Sequence, residues 1–142
     1  MPLRTCAQFT SGLPDDSIEV EGDIVQFGGK NVADALVAIL RARSFRVSDP
    51  GYLGVNGWDF NVTEGKTRVW VQVSDVPPIF ILMSELHRPF NFFKGDFGRR
   101  ELHAEVLAAM DAGMKADDRF GDLSWRHQEE IEVDGAGAPA PY

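Results

Sequence analysis

The feature that most constrains this chain is a strict alternation of apolar and polar residues between positions 58 and 73. The apolar positions are Trp58, Phe60 and Val62 in a first arm and Val69, Val71 and Val73 in a second. Glu64-Gly65-Lys66 separates the two arms. A period of two is that of a β-strand, and two such arms around a short glycine-containing turn predict an antiparallel hairpin. One face of the hairpin is therefore expected to meet a core, while the other carries polar groups together with Trp70.

Helical spacing of apolar residues predicts one helix before this hairpin and another near the end of the chain. The first covers residues 32–43, with Asn31 as its expected N-cap, and the second covers residues 102–114. Residues 79–83 are apolar at every position, which is typical of a central strand. The predicted order is β-α-β-β-β-β-α-β. This order predicts an α+β fold, with an antiparallel sheet of about five strands and two amphipathic helices packed on one face.

Composition at the two ends sets the expected domain boundaries. Residues 1–17 are rich in turn formers and are expected to form a flexible lead-in. A β-ribbon at residues 18–27 begins the ordered part, and an edge strand at residues 123–126 ends it, giving one α+β domain over residues 18–128. Residues 129–142 are first acidic and then rich in Gly, Ala and Pro, so they are expected to form a flexible tail.

Length and composition exclude several classes of protein. A chain of 142 residues fits one domain. Its longest apolar run, residues 79–83, is far shorter than the roughly 20 residues of a membrane-spanning helix. Cys6 is the only cysteine, which excludes a disulfide scaffold. The start of the chain lacks the layout of a signal peptide, so a cytosolic location is expected.

The net charge of −8 is concentrated at the two ends of the sequence. Residues 1–24 hold one basic side chain against five acidic ones, and residues 121–142 show the same ratio. Residues 25–120 hold twelve of each. Negative potential of this kind repels phosphate backbones and anionic lipids, so no direct nucleic-acid or membrane partner is expected. It attracts a basic protein, although acidic surfaces also serve solubility alone.

The residues that usually carry chemistry do not form a recognisable motif. The segment GGKN at residues 28–31 lacks the spacing and the hydroxyl of a phosphate-binding loop. The histidines are dispersed as His87, His103 and His127, without the spacing of a zinc site. No Gly-x-Ser-x-Gly sequence occurs. We therefore predict no catalytic residue, cofactor or metal. The open alternative is a small enzyme in which His87 and His103 converge with a carboxylate such as Glu85.

Aromatic and acidic side chains supply the candidate binding residues. The segment 87–100 interleaves four phenylalanines with basic residues, and aromatic and arginine side chains are enriched at interface hot spots. The alternatives are that these phenylalanines belong to the core and that Trp70 is buried under a helix. The predicted partner-binding residues are Asp59, Trp70, Glu85, Phe92 and Phe93.

The order of elements over residues 36–83 resembles that of small acidic α+β immunity proteins and inhibitors from bacterial toxin systems. The resemblance is carried by an amphipathic helix, the strand start SFRV, the strands GWDFNV and TRVWVQV, and the apolar strand that follows. It covers about a third of the chain. It implies a single-domain protein, a monomer or homodimer, that binds and occludes a partner and has no catalytic residues.

We therefore expect a non-enzymatic bacterial protein that occludes a basic partner, such as a toxin enzyme or a defence component. Three alternatives stay open beside it. The first is a phage or plasmid anti-defence protein that mimics the charge of DNA. The second is a secretion chaperone or adaptor with an apolar groove. The third is the small histidine–carboxylate enzyme.

Overall fold

Within residues 3–89, 99–128 and 137–142, which the computed structural model describes, the chain forms nine strands and two α-helices. The strands are β1 (Cys6–Ser11), β2 (Ile18–Val20), β3 (Asp23–Gln26), β4 (Arg46–Val47), β5 (Gly51–Tyr52), β6 (Trp58–Glu64), β7 (Thr67–Val76), β8 (Ile79–His87) and β9 (Phe120–Arg126). The helices are α1 (Lys30–Arg41) and α2 (Glu101–Lys115), and a short 3-10 turn covers Gly54–Asn56.

Seven of these strands form one antiparallel sheet in the order β4-β6-β7-β8-β1-β9, with β5 also paired to β6. Within the described ranges, strands β2 and β3 pair only with each other, as a separate ribbon. The predicted α+β class is confirmed, with seven strands in the main sheet where about five were expected. The predicted hairpin is β6 and β7, in a register that sets Trp58 opposite Val73.

Both helices pack on one face of the sheet, as predicted. Alternate residues of the strands meet the apolar stripes of α1 and α2 in a single core. The helices approach each other closely at Gly113, where a Cβ atom would lie 2.2 Å from Ile39 Cγ2. Neither helix in the described part of the chain is long and apolar enough to cross a membrane.

The expectation of a flexible lead-in over residues 1–17 is wrong for β1. This strand lies inside the sheet, between β8 and β9, and Ala7 and Phe9 are fully buried. The Phe9 ring stacks on Phe80 at 5.8 Å and meets Phe120 edge-on at 5.7 Å. The strand was missed because only two core-facing side chains mark it, and one of them is an alanine.

The expectation of a flexible tail over residues 129–142 is wrong for its last part. Ala138 forms an antiparallel bridge with Trp125 of β9 through two backbone hydrogen bonds of 2.7 and 2.8 Å. Lys115 Nζ donates to the Pro139 carbonyl at 2.7 Å, and the Arg4 amide donates to the Pro141 carbonyl at 2.7 Å. Residues 129–136 lie outside the described ranges.

The N-terminus of α1 is capped by a residue distant in sequence. The predicted N-cap, Asn31, lies inside the helix, and Gly29 occupies the cap position with φ of 111°. The Asp16 carboxylate accepts hydrogen bonds from the Gly29 and Asn31 amides at 2.9 and 2.6 Å. It thus performs the capping that a local side chain normally provides. The Asn31 side chain instead donates to the Pro14 carbonyl, which holds the loop before the ribbon against the helix.

Candidate partner-binding surface

The face of the sheet away from the helices brings together three of the five predicted binding residues. Asp59, Trp70 and Glu85 share this open face because their strand neighbours pack on the helix side. Trp70 lies opposite Glu85 in the β7–β8 register. Its indole Nε1 donates a 2.8 Å hydrogen bond to Asp59 Oδ2. The other two, Phe92 and Phe93, lie outside the described residues.

The open face offers a partner less than its residue types suggest. The indole N–H of Trp70 and one oxygen of Asp59 are already used by each other, and both residues are half-buried. Glu85 is the accessible member, with 64% of its side chain exposed, and its carboxylate lies 3.6 Å from Nε2 of His87. Of these three residues, a partner that docks here would contact the Glu85 carboxylate fully, but only the exposed part of the Trp70 ring.

The histidines do not converge. His87 lies on the open face at the end of β8, whereas His103 lies on α2, on the helix side of the sheet. The sheet itself separates them, so the arrangement imagined for a histidine–carboxylate enzyme does not form between these two residues.

His103 instead forms a buried pair with Ser84, and the direction of its hydrogen bond can be assigned. The Ser84 hydroxyl lies 2.7 Å from the Thr5 carbonyl, which can only accept, so the hydroxyl proton points there. His103 Nε2, at 2.8 Å, must then donate to Ser84 Oγ. Burial lowers the pKa of His103, which favours the neutral ring. In this arrangement the imidazole donates to the hydroxyl and does not act as its base.

No group of three or more His, Cys, Asp or Glu side chains in the described part of the chain is arranged to hold a metal ion. Cys6 is buried on β1.

The ribbon of β2 and β3 exposes its aliphatic side chains. Glu21 and Gly22 join the strands with φ of 54° and 86°, the two left-handed residues of a type I′ turn. Every residue from Ile18 to Val25 is exposed. Its four aliphatic side chains are 47–56% exposed and lie among acidic ones; they are Ile18, Val20, Ile24 and Val25.

A loop beside the ribbon extends this apolar surface. Tyr52, Leu53 and Val55 are exposed, Val55 to 71%. The Tyr52 hydroxyl accepts a 2.9 Å hydrogen bond from the Phe27 amide, directly after β3, so the loop is tied to the base of the ribbon. The Tyr52 ring packs at 5.0 Å on Trp58.

Exposed large apolar side chains are therefore concentrated at one end of the sheet. Among the described residues nine are exposed, and only Tyr142 lies elsewhere. Val76 belongs to this end because the Ser74 hydroxyl, two residues before it, donates to the Asn56 carbonyl of the loop. We call the eight residues the ribbon surface: Ile18, Val20, Ile24, Val25, Tyr52, Leu53, Val55 and Val76.

Carboxylates surround the ribbon surface. Glu19, Glu21 and Asp23 lie on the ribbon itself. At its base, a cavity of about 240 Å³ between the loop before β2, the start of α1 and Pro77-Pro78 is lined by three more: Asp15, Asp16 and Asp75. The base is so narrow that a Cβ atom on Gly28 would lie 2.7 Å from Asp75 Oδ2.

The titration of Asp75 reflects this crowding. Burial, first, and the negative charges of Asp15 and Asp16, second, raise the pKa of Asp75 above its ordinary value. The nearby cation, Lys30, is paired with Asp34 at 2.9 Å. The ribbon end of the molecule therefore carries a negative potential next to exposed apolar groups.

The opposite end of the sheet combines three arginines with Glu64 and Glu105. A second cavity of about 260 Å³ there is lined by Arg43, Arg46 and Arg99. Arg99 bonds Glu64 at 2.7 Å and also Glu105, and its hydrogen bond, together with its charge, lowers the pKa of Glu105. Arg43 and Arg46 therefore lie at the end of the sheet opposite the carboxylates of the ribbon surface.

Sequence reasoning recognised the ribbon but not its exposure. Alternating Ile18 and Val20 are the ordinary mark of a half-buried strand. The signal against burial was the acidic residues that lie among the aliphatic ones, in strands of three and four residues that meet at a tight turn. Nothing in those residues tells whether another part of the chain covers them.

A comparison of the chain with models of protein families, with curated proteins and with solved structures finds no match in any of the three.

Proposed function

We propose that this chain is a non-enzymatic protein that binds and occludes a basic protein partner through the ribbon surface. The observation that carries the proposal is the collection of eight exposed large apolar side chains at one end of the sheet, among six carboxylates. Contiguous exposed apolar surface of this kind marks interaction sites in proteins that otherwise bury such groups.

The two chemistries have separate roles. Val20 and Ile24 are about half exposed, so burying the rest of each contributes about half of the roughly 1.5–3 kcal/mol of a fully exposed aliphatic side chain, and several of them together supply the holding energy. The carboxylates steer a basic partner and discriminate against acidic ones. A toxin enzyme with a cationic cleft fits this chemistry, and a cytosolic location in a bacterium belongs to the proposal.

A secretion chaperone or adaptor is the second candidate, because the same exposed apolar patch favours it. It differs in one respect that can be measured. An adaptor of that kind is expected to be a symmetric dimer with a groove, whereas an occluding inhibitor binds its partner one to one.

The test is to co-express the chain with the product of the adjacent gene in its native genome and to measure their association at micromolar concentration. We expect a one-to-one complex. A Val20→Ser/Ile24→Ser variant should bind at least about tenfold more weakly, since two buried aliphatic contacts are lost. The matched control is Trp70→Ser on the open face, which should leave the affinity within about threefold.

Two results would count against the proposal. One is the absence of any association with the adjacent product. The other is a complex whose affinity falls with Trp70→Ser and not with the ribbon variant, because the open face would then be the binding site.

A further inference from the structure

The geometry points to a mode of binding that rests on the proposed function: β3 is an open sheet edge that receives an extended, basic segment of the partner as a third strand. Three features of the ribbon carry this inference, namely its free edges, the position of its outward backbone groups and its charge.

The ribbon is a sheet of two strands, so among the residues that the structure describes each of its strands has one edge without a neighbour. Isolated two-stranded sheets are marginally stable in water, and their unpaired amide and carbonyl groups template the addition of another strand. Apart from the ribbon's own pairing, no hydrogen bond to Glu19 or Ile24 occurs within the described ranges. The ribbon therefore has unpaired backbone groups that can bind a further strand, and it would become more stable by doing so.

The register identifies which backbone groups face outward. Val20 and Asp23 flank the two-residue turn and so form the hydrogen-bonded pair that closes the hairpin. The next pair, Glu19 and Ile24, is then a non-hydrogen-bonded pair, whose amide and carbonyl groups point away from the partner strand. On β3 the outward donor and acceptor are those of Ile24.

The apolar surroundings favour the edge of β3 over that of β2. The amide directly after β3, that of Phe27, bonds the Tyr52 hydroxyl. The exposed side chains of Tyr52, Leu53 and Val55 therefore adjoin β3. A strand added along β3 would gain backbone hydrogen bonds and would end against this apolar loop.

The carboxylates of the ribbon indicate what kind of segment would bind along β3. Each face of the ribbon carries one carboxylate beside an aliphatic side chain, since Val20 shares its face with Asp23 and Ile24 shares its face with Glu19. A segment that alternates lysine or arginine with aliphatic residues complements both faces. A second copy of the ribbon would instead bring like charges together across the new edge, which opposes pairing.

The experiment uses two capped synthetic peptides of alternating lysine and valine, one unmodified and one N-methylated at alternate residues. Both have the same charge and side chains, but only the first can donate a complete row of backbone hydrogen bonds. Binding to the full-length, isotope-labelled chain is followed through backbone amide shifts. We expect the unmodified peptide to shift the Ile24 amide and its neighbours, and the methylated peptide to bind about tenfold more weakly or worse.

Proline variants locate the edge. Ile24→Pro removes the outward amide of β3 and is compared with Ile24→Ala, so that the lost side chain cancels. Glu19→Pro removes the outward amide of β2 and is compared with Glu19→Gln, so that the lost charge cancels. Only the first proline should weaken binding of the unmodified peptide, again by about tenfold. If Ile24→Pro disrupts the ribbon itself, the peptide pair still decides, because it leaves the protein unchanged.

The outcomes separate this inference from the proposed function. Equal binding of both peptides at the ribbon overturns strand addition and leaves binding by the ribbon surface intact. Ribbon shifts that depend on protein concentration without peptide identify a second copy as the occupant and overturn the inference. The absence of any ribbon shift with the peptides also overturns it, while the proposed function is decided by the association measurement with the adjacent gene product.

Discussion

At the scale of single residues, two tryptophans with similar hydrogen bonds occupy opposite faces of the sheet. Trp125 is fully buried and donates from Nε1 to Asp111 Oδ1 at 2.9 Å. Trp70 is half-buried and donates to Asp59 at 2.8 Å. The bond to Asp111 lies where water cannot replace the lost donor, so the two bonds contribute differently to stability.

Replacing each tryptophan with phenylalanine should expose this difference. Trp125→Phe leaves a buried carboxylate oxygen without its donor, and we expect the free energy of unfolding to fall by about 1–3 kcal/mol. Trp70→Phe should cost less, about 0.5–1.5 kcal/mol, because Asp59 regains water. Denaturant-induced unfolding measures both. Equal losses would mean that the Asp111 bond is no more stabilising than one at the surface.

Asp75 should make stability depend on pH. Its pKa is higher in the folded chain than its ordinary value of 3.8, so the folded state holds this proton more tightly than the unfolded state. Its contribution therefore favours unfolding above the folded pKa, and this effect is relieved as the pH falls from the folded pKa toward 3.8.

Asp75→Asn should accordingly raise the melting temperature at neutral pH, and the gain should vanish in acid. The same change at exposed Asp118, away from the cavity, serves as the control and should show no such trend. Melting curves across the acidic range measure the effect. A variant that melts below the wild type at neutral pH would show that Asp75 is stabilised by its surroundings.

The residue scale also shows how far sequence reasoning reaches. Period two sufficed to place Asp59 and Trp70 on one face, but it did not place Glu85, because the apolar pattern marked the third strand only over residues 79–83. It did not predict that Trp70 and Asp59 would use each other's polar atoms, because that depends on how two side chains lie across strands. The exposure of Ile18 and Val20 depends on the absence of a covering element, which no local pattern encodes.

At the scale of elements, helices and strands with a strong apolar periodicity were predicted correctly, and those with a weak one were missed. The hairpin of β6 and β7, the central strand β8 and both helices follow from their apolar patterns. Strand β1 was missed because its core face is short and contains Ala7. The cap of α1 was missed because Asp16 comes from a loop more than ten residues earlier, brought there by tertiary folding.

The contact between the helices depends on Gly113. A methyl group there would lie 2.2 Å from Ile39 Cγ2, so Gly113→Ala should lower the free energy of unfolding by about 1–3 kcal/mol despite the better helix propensity of alanine. Thermal or denaturant unfolding measures the loss.

A double variant tests the cause. Ile39→Ala removes the conflicting side-chain atoms, so the Gly113→Ala/Ile39→Ala chain should lose less stability than the sum of the two single losses, by about 0.5–3 kcal/mol. Strict additivity would indicate that the helices separate or shift without this contact.

At the scale of the whole molecule, the fold brings charged groups from different parts of the sequence to opposite ends of the sheet. The N-terminal acids gather around the ribbon surface, and Arg43, Arg46 and Arg99 lie at the other end of the sheet. The sequence predicted acidity at the chain ends but not this placement, because it depends on tertiary folding of the ribbon and the helices at the two ends of the sheet. A basic partner is therefore oriented before contact, and its association rate should fall as salt is added.

The central claim is that the ribbon surface, and not the open face with Trp70, meets the partner. The most direct measurement is amide hydrogen exchange of the chain alone and in complex with the adjacent gene product. We predict strong new protection in β2, β3 and the 51–57 loop, with β7 around Trp70 unchanged. Protection confined to the β6–β7–β8 face, with the ribbon still exchanging freely, would contradict the account.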